Sequence, residues 1–295
     1  MEYRHTPVLL AEVTQHLSLQ DGSIFVDCTL GGAGHAKRIA QLVAPTGIVV
    51  GIDQDDAALD AAAATLRLGQ QAMPTIVLAK GNFGDLDSLL LEARIPYADA
   101  VLFDLGVSSP QLDVAGRGFT YQEDVPLDMR MDPSSTSPTA ADVVNTYSEA
   151  ALSKILREYG EERWASRIAS FIVAARGRHP LETTGELVDI VKAAIPASAR
   201  RTGPHPARRT FQALRIEVNH ELEVLERGLR SAIAWLAPGG RVAVISYHSL
   251  EDRLVKQVFA EMAEGCVCPP DMPVCRCGRE PVLRVITKRP VVPTS

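Results

Sequence analysis

Alternation between short apolar strands and amphipathic helices is the feature of this sequence that most restricts its fold. Four apolar runs have the length of buried strands, and the segments between them have helical periodicity. The predicted strands are Ser23–Cys28, Gly47–Ile52, Thr75–Ala79 and Ala98–Phe103, and the helices are His35–Val43, Asp55–Leu68 and Leu86–Ala93. Because such alternation returns the chain across a sheet after every strand, we predict an α/β fold with a parallel sheet between helices.

The alternation stops after residue 112. A loop rich in Gly, Pro, Asp and Ser (117–138) precedes a series of predicted helices. These are Glu149–Tyr159, Glu161–Arg176, Thr184–Ala194 and Phe211–Leu236, and strands follow at Arg241–Ser246 and Val282–Thr287. Since strands resume after the helices, we predict a Rossmann-like domain formed by residues 1–112 and 208–295, with an inserted all-helical domain at 113–207.

The composition is that of an ordinary globular chain, 46% hydrophobic and 22% charged, with a formal net charge of −6. No apolar run reaches the roughly 18 residues that cross a membrane, and the polar N-terminus lacks the apolar segment of a signal peptide. We therefore expect a cytoplasmic protein without membrane contact. Two basic groups fit either a restricted contact with a polyanion or solvated surface charge. They are Arg200, Arg201, Arg208, Arg209 and Arg215, and Arg276, Arg279, Arg284, Lys288 and Arg289.

The segment after the first predicted strand contains Gly31, Gly32 and Gly34. A strand-to-helix turn needs glycine where its backbone approaches a ligand, and turns of this kind bind dinucleotides or S-adenosylmethionine. The spacing is not the G-x-G-x-x-G of dinucleotide sites, and Asp27 before the turn suits a cation better than a phosphate. These features favour S-adenosylmethionine; a purely structural turn is the alternative.

The later strands also end in suitable residues. Asp53 can accept hydrogen bonds from both ribose hydroxyls of an adenosyl group, and it disfavours a 2′-phosphate. Phe83 offers an aromatic face for adenine, or else is a core residue. Asp104 ends the fourth strand, at the sheet edge where open α/β folds bind ligands. Together these residues predict a cofactor site at the carboxyl edge of the sheet.

Longer motifs are spread over almost the whole chain. They are HTPVLL (5–10), GGAGH (31–35), DLGVSSPQLD (104–113), RGF (117–119), PLDMRMD (126–132), YGEER (159–163), RTFQA (209–213) and SYHSLED (246–252). With these motifs the chain resembles the bacterial 16S rRNA cytosine-N4 methyltransferases, the RsmH (MraW) family.

The resemblance implies a class I S-adenosylmethionine-dependent methyltransferase fold with an inserted helical domain for substrate recognition. It implies methylation of N4 of a cytidine in the decoding region of 16S rRNA, within an assembled small ribosomal subunit, and it leaves a homodimer open. Together with Gly31 of the glycine turn, the predicted S-adenosylmethionine-binding residues are Ala33, Gly34, His35, Asp53, Phe83, Asp104 and Gln111.

Methyl transfer from a sulfonium is an in-line displacement, so alignment and desolvation can supply most of the catalysis. Cytosine N4 is a poor nucleophile, and an acceptor bonded to one of its N–H groups would stabilise the developing cation. We predict Asp104 as that acceptor, assisted by Ser108, Ser109 or a nearby backbone carbonyl. Phe119 and Tyr247 are candidates for stacking on the base.

The cysteines bear on the target atom. Methylation at C5 of cytosine uses a cysteine thiolate, usually from a Pro-Cys or Thr-Cys pair, and the sequence contains neither. The zinc motifs of a cytosine deaminase are also absent. Cys28 is predicted to be a core residue. Four other cysteines, Cys266, Cys268, Cys275 and Cys277, could bind a structural zinc or remain thiols, and no predicted active-site residue is assigned to a metal.

Two other functions remain as alternatives. One is an NAD-dependent dehydrogenase, which the glycine spacing disfavours. The other is a non-catalytic rRNA-binding assembly factor on the same fold, which Asp53 and Asp104 argue against. His35 and His248 have two interpretations each, acid–base chemistry or a structural role in packing and turn capping.

Overall fold

The computed structural model describes residues 7–67, 73–106, 116–201, 203–269, 272, 274 and 276–293. The chain divides into two compact units. The first unit combines Met1–Gly106 with Leu222–Ser295, and the second is Val107–Glu221.

The first unit contains a five-stranded sheet in the order β3-β2-β1-β4-β5, with every neighbouring pair parallel. Its strands are β1 (Ile24–Asp27), β2 (Ile48–Asp53), β3 (Thr75–Lys80), β4 (Ala98–Asp104) and β5 (Leu236–Ile245). The helices are α1 (Leu10–Leu17), α2 (Gly34–Val43), α3 (Asp56–Arg67), α4 (Leu86–Glu92), α10 (Glu221–Trp235) and α11 (Ser249–Ala263). The predicted α/β class with a parallel sheet is confirmed.

The central strands of this sheet are buried on both faces, which explains why β1, β2 and β4 are largely apolar. In β1, Ile24 and Val26 belong to one apolar cluster, whereas Phe25 between them belongs to another. The first cluster includes side chains of α4, α10 and α11, and the second includes side chains of α1, α2 and α3. Successive side chains of a strand point to opposite faces, so each strand contributes to two cores.

Two predicted elements of this unit differ from the structure. Residues 282–287 form no strand: Val282 is 66% exposed and Ile286 is 55% exposed, so their apolar side chains have no sheet to join. The strand predicted from Arg241 begins earlier, at Leu236, and includes the Pro-Gly-Gly segment that the sequence suggests is a turn.

The second unit is built from helices. They are α5 (Ala140–Thr146), α6 (Glu149–Glu158), α7 (Ala165–Arg176), α8 (Thr184–Ala194) and α9 (Arg208–Asn219). A single core within residues 119–218 holds them together. Helix α9 contributes Phe211 and Leu214 to that core, although the predicted boundary lies just before this helix.

The helix predicted at 211–236 is two helices, α9 and α10. They are separated at His220, whose φ of 50° is left-handed. The side chain of Asn219 stabilises the end of α9, because its Nδ2 donates to the carbonyl oxygens of Met129 and Arg215, both at 2.8 Å. None of the helices in the described ranges combines the length and the apolar character that crossing a bilayer demands.

Candidate active site

Three carboxylates lie at the carboxyl edge of the sheet, on neighbouring strands. Asp27 ends β1, Asp53 ends β2 and Asp104 ends β4. Their charges interact, because the carboxylates of Asp104 and Asp53 both act to raise the pKa of Asp27. Parallel strands bring these residues to one edge, and the edge is therefore rich in negative charge.

Asp53 is bonded to the glycine turn. Its Oδ2 accepts a hydrogen bond from the backbone N–H of Gly31 at 2.9 Å, and its Oδ1 accepts one from Asp55 at 3.0 Å. Burial raises the pKa of Asp53, while these N–H donors act in the opposite direction. The carboxylate is thus fixed in orientation beside the turn.

The turn itself uses left-handed backbone. Gly31 has a φ of 47°, and Ala33, the residue before helix α2, has a φ of 60°. Among the described residues, no heavy atom lies within 4 Å of the position that a Cβ on Gly32 would occupy, so this part of the structure leaves the turn open at that residue. A backbone that faces open space next to a fixed carboxylate can contact a ligand directly.

Asp27 and His35 form the buried part of the site. Asp27 is 2% exposed, and burial raises its pKa from 3.8 to about 7, with His35 acting against this shift. His35 is 5% exposed, and among the described residues neither of its ring nitrogens has a hydrogen-bond partner. Its Nε2 lies 3.5 Å from Oδ2 of Asp104. Buried polar atoms without partners are uncommon, and here they lie where a polar ligand would meet them.

Asp104 connects β4 to the segment after β5. Its Oδ1 accepts a hydrogen bond from the hydroxyl of Tyr247 at 2.8 Å, and its backbone N–H donates to Oγ1 of Thr29 at 2.6 Å. Burial and the nearby carboxylate raise the pKa of Tyr247, so the phenol keeps its proton and donates it. The Asp104 side chain is 24% exposed and remains accessible from solvent.

Gly106 allows Tyr247 to approach. A Cβ at this glycine, whose φ is 107°, would lie 3.2 Å from Cδ2 of the Tyr247 ring. Tyr247 is 49% exposed and is available for stacking, whereas Phe119, the other predicted stacking residue, is 8% exposed in the core of the second unit. The prediction that Phe119 serves for stacking is therefore not supported by its position.

Phe83 follows β3, which is the neighbour of the strand β2 that ends at Asp53. Its ring is half-buried and packs edge-on to Phe103, with centroids 5.4 Å apart. A Cβ at Gly228 would lie 2.8 Å from Cδ2 of Phe83, so the glycine makes room for this ring. The Nδ2 of Asn82 donates to Oε1 of Gln54 at 3.3 Å, which joins this segment to the residue after Asp53.

His248 has a structural role. Its Nδ1 accepts a hydrogen bond from the backbone N–H of Glu251, and the Glu251 carboxylate accepts one from the backbone N–H of His248. This reciprocal capping fixes the start of α11, as the structural interpretation of His248 expected.

Contacts therefore link two pairs of the predicted cofactor residues, with Gly31 bonded to Asp53 and His35 beside Asp104. Ser108, Ser109 and Gln111 lie outside the described residues. The hydroxyls of Thr29 and Tyr247 had no role in the sequence-based prediction, which named Tyr247 only for stacking. Both contacts with Asp104 join distant segments, and no local motif indicates them.

The first basic group, in the second unit, is mostly exposed. Arg200, Arg201, Arg208 and Arg209 are exposed. Arg215 is different: its Nε and Nη2 donate to the two carboxylate oxygens of Glu221, both at 2.8 Å, and only 16% of its side chain is exposed. Arg215 is thus held in an ion pair within the unit, and its position favours neither a contact with a polyanion nor solvated surface charge.

Comparisons with known proteins give a consistent result. The family model described as the MraW methylase family matches residues 2–295. A protein from Symbiobacterium thermophilum named ribosomal RNA small subunit methyltransferase H is 53% identical over 99% of this chain and 90% of its own. A protein of the same name from Pelobacter propionicus is 54% identical over 99% of this chain and 93% of its own. The match to a crystal structure from Clostridium thermocellum covers 87% of this chain and 83% of the chain in that structure, with 15% identity and a TM-score of 0.42. This similarity is too weak to establish a shared fold.

Proposed function

Because this chain belongs to the MraW methylase family, we propose that it transfers a methyl group from S-adenosylmethionine to N4 of a cytidine in 16S rRNA. The class of substrate follows from the shared name of the relatives, small-subunit rRNA methyltransferase. One observation carries the proposal for the site: three carboxylates at the carboxyl edge of the sheet, one of them bonded to an open glycine turn.

These residues fit S-adenosylmethionine. Asp53 has a fixed carboxylate that can accept hydrogen bonds from ribose hydroxyls, and Phe83 provides an aromatic ring one strand away. Asp104 supplies negative charge for a ligand that carries a sulfonium and an ammonium group, and Asp27, whose pKa is about 7, adds to that charge when it is ionised. The same charges would repel the pyrophosphate of NAD, which argues against a dehydrogenase. When bound, S-adenosylmethionine supplies an electrophilic methyl group.

Asp104 is proposed to hold the incoming amine. Tyr247 donates a hydrogen bond to its Oδ1, which fixes the orientation of the carboxylate, and Nε2 of His35 lies 3.5 Å from its Oδ2. Each oxygen retains a lone pair for an N–H of cytosine. Accepting that hydrogen bond raises the electron density of the amine and stabilises the positive charge that develops on it. Tyr247 and His35 act as positioning residues for Asp104.

The state of Cys28 supports N4 rather than C5 as the target. This cysteine follows Asp27 at the carboxyl edge and is 2% exposed. Burial and the charge of Asp27 raise the pKa of its thiol well above the usual value. A thiol in that state is a weak nucleophile, whereas methylation at C5 requires a thiolate.

Four exposed arginines of the second unit are the proposed contact with RNA phosphates. Arg200, Arg201, Arg208 and Arg209 lie within ten residues of one another in sequence, in a unit separate from the carboxylate-rich edge. Phosphate contacts of this kind position an RNA without reading its sequence. We propose that they bind the backbone around the target cytidine in the small subunit.

The test is transfer of labelled methyl groups. Small subunits and free 16S rRNA, both from a strain that lacks this protein, are incubated with labelled S-adenosylmethionine and digested to nucleosides. We expect label in N4-methylcytidine, with small subunits as the better substrate. Label in 5-methylcytidine would contradict the target atom, and tight binding of S-adenosylmethionine and subunits without transfer would indicate a non-catalytic assembly factor.

A further inference from the structure

The chain after α11 has little regular structure and little burial. Its described residues, 264–269, 272, 274 and 276–293, form neither helix nor strand, and several apolar side chains are exposed. Val267 is 49% exposed and Val282 is 66% exposed. Leu283 packs against the core of the first unit, but the apolar side chains near the cysteines are exposed, so the hydrophobic effect contributes little to holding that part of the segment in place.

Three cysteines of this segment nevertheless meet. The Sγ atoms of Cys266, Cys268 and Cys277 all lie within 4.8 Å of one another. Sγ of Cys277 is 3.8 Å from Sγ of Cys266. A disulfide would require about 2.05 Å, whereas thiolates bound to one tetrahedral zinc at about 2.3 Å lie about 3.8 Å apart. The sulfur positions therefore match a metal site rather than a disulfide.

The surroundings of the sulfurs fit thiolate ligands. The backbone N–H of Arg276 donates to Sγ of Cys268, with a nitrogen–sulfur distance of 3.4 Å. Donors of this type stabilise the negative charge of metal-bound thiolates and fix their direction. The guanidinium of Arg279 donates to the carbonyl oxygen of Glu261 and pairs with Glu264 at 3.7 Å, which connects the segment to the end of α11.

We propose that Cys266, Cys268 and Cys277 bind a structural zinc ion. Binding replaces the proton of each thiol, so three protons are released and no group is oxidised or reduced. The metal would cross-link two cysteines that are eleven residues apart in sequence and so hold the segment in one conformation. This site is distinct from the carboxyl edge of the sheet, and the zinc takes no part in methyl transfer. Cys275, outside the described residues, is tested below as a fourth ligand.

The experiment measures zinc directly. Full-length protein is purified without chelators, and its zinc content is determined by mass spectrometry of the metal and by release with a thiol-blocking mercurial. We expect one zinc per chain, and less than one fifth of that content after Cys266→Ser, Cys268→Ser or Cys277→Ser. Reconstitution with Co²⁺ should give the visible absorption bands of tetrahedral thiolate coordination, because the absorption of Co²⁺ depends on its coordination geometry whereas zinc has no visible absorption.

Two control variants separate a site from general effects. Val267→Ser changes the residue between two ligands, and Cys28→Ala removes a cysteine elsewhere in the fold; both should retain one zinc. The fourth ligand is decided by Cys275→Ser: loss of the metal indicates four thiolates, and retention indicates three thiolates with another donor. Should the parent contain no more zinc than Cys266→Ser, or should a Cys266–Cys277 disulfide be found in protein purified under air-free conditions, the proposal is refuted.

Because the metal is structural, a second readout is independent of activity. Removing zinc with a chelator should increase the rate of proteolysis between residues 264 and 293, and added zinc should reverse the change. Equal cleavage with and without zinc would show that the metal, even if bound, does not order the segment, and would refute its structural role.

Discussion

Replacing Asp27 with asparagine should change how the stability of the first unit depends on pH. Burial raises the pKa of this carboxyl from 3.8 to about 7 in the folded chain. Between these values the folded state holds a proton that the unfolded state has released. The free energy of unfolding therefore falls as the pH rises from about 4 to about 7 and is constant, for this group, above that range.

The size of the effect follows from the pKa difference. About three pKa units at about 1.4 kcal/mol each correspond to about 4 kcal/mol over the whole range. More than half of this loss falls between pH 5 and pH 8, because that interval contains the pKa of about 7 in the folded chain. Asp27→Asn cannot ionise and should not show that loss. The constant cost of placing an amide at a buried site cancels when each variant is compared with itself at the two pH values.

The assay is urea unfolding at pH 5 and pH 8. Of the two tryptophans, Trp235 is in the first unit and Trp164 is in the second. In a Trp164→Phe background, fluorescence therefore reports the unit that contains Asp27. Asp60→Asn on α3, which replaces an exposed acid, is the matched control and should keep the parental pH dependence. If Asp27→Asn loses as much stability between the two pH values as the parent does, the burial argument is refuted.

Three further predictions concern the proposed function. Asp53→Ala should weaken S-adenosylmethionine binding about 10- to 100-fold in calorimetry, because a hydrogen bond to a charged acceptor contributes about 1.5–3 kcal/mol. Asp60→Ala is the control and should bind S-adenosylmethionine as the parent does. Equal affinity of the Asp53→Ala and Asp60→Ala variants would show that Asp53 is not part of the cofactor site. Tyr247→Phe should lower kcat about five- to tenfold, for the loss of about 1 kcal/mol, with unchanged cofactor affinity, and an unchanged kcat would contradict its positioning role. Arg208→Ala with Arg209→Ala should weaken binding to small subunits and reduce the slope of log affinity against log salt by about one for each phosphate that is no longer bound; the same slope as the parent would place these arginines outside the interface.

The first four strands were predictable from the sequence to within about a residue at each end. Each is a largely apolar run that ends near an acidic residue or a glycine, because burial on both sheet faces leaves few positions for polar side chains. Residues 282–287 have the same apolar character but form no strand, because an apolar pattern cannot show whether a sheet edge is available. The break between α9 and α10 at His220 could not be predicted from the sequence either, because this residue is neither glycine nor proline. Asn219 stabilises the helix end through a hydrogen bond to Met129, which is distant in sequence.

The candidate site was predictable where a single segment carries the information. The glycine turn and the acids at strand ends are local features, and both are found at the carboxyl edge. The hydrogen bond between Asp104 and Tyr247 depends on the pairing of β4 with β5, which places Ile245 beside Asp104. The pair of Arg215 with Glu221 was missed because the interval without acids, 197–215, ends six residues before its partner.

The position of the second unit between β4 and β5 determines when the sheet can be completed. During synthesis the chain emerges from its N-terminus, so residues 24–104 supply four strands well before Leu236 begins the fifth. The helical unit lies between them, and its core draws only on residues 119–218, so it can form while β5 is still in the ribosome. Until then β4 has an unpaired edge, which is an open template for pairing with other chains. Nascent chains paused before residue 236 would therefore be the form of this protein most prone to aggregate.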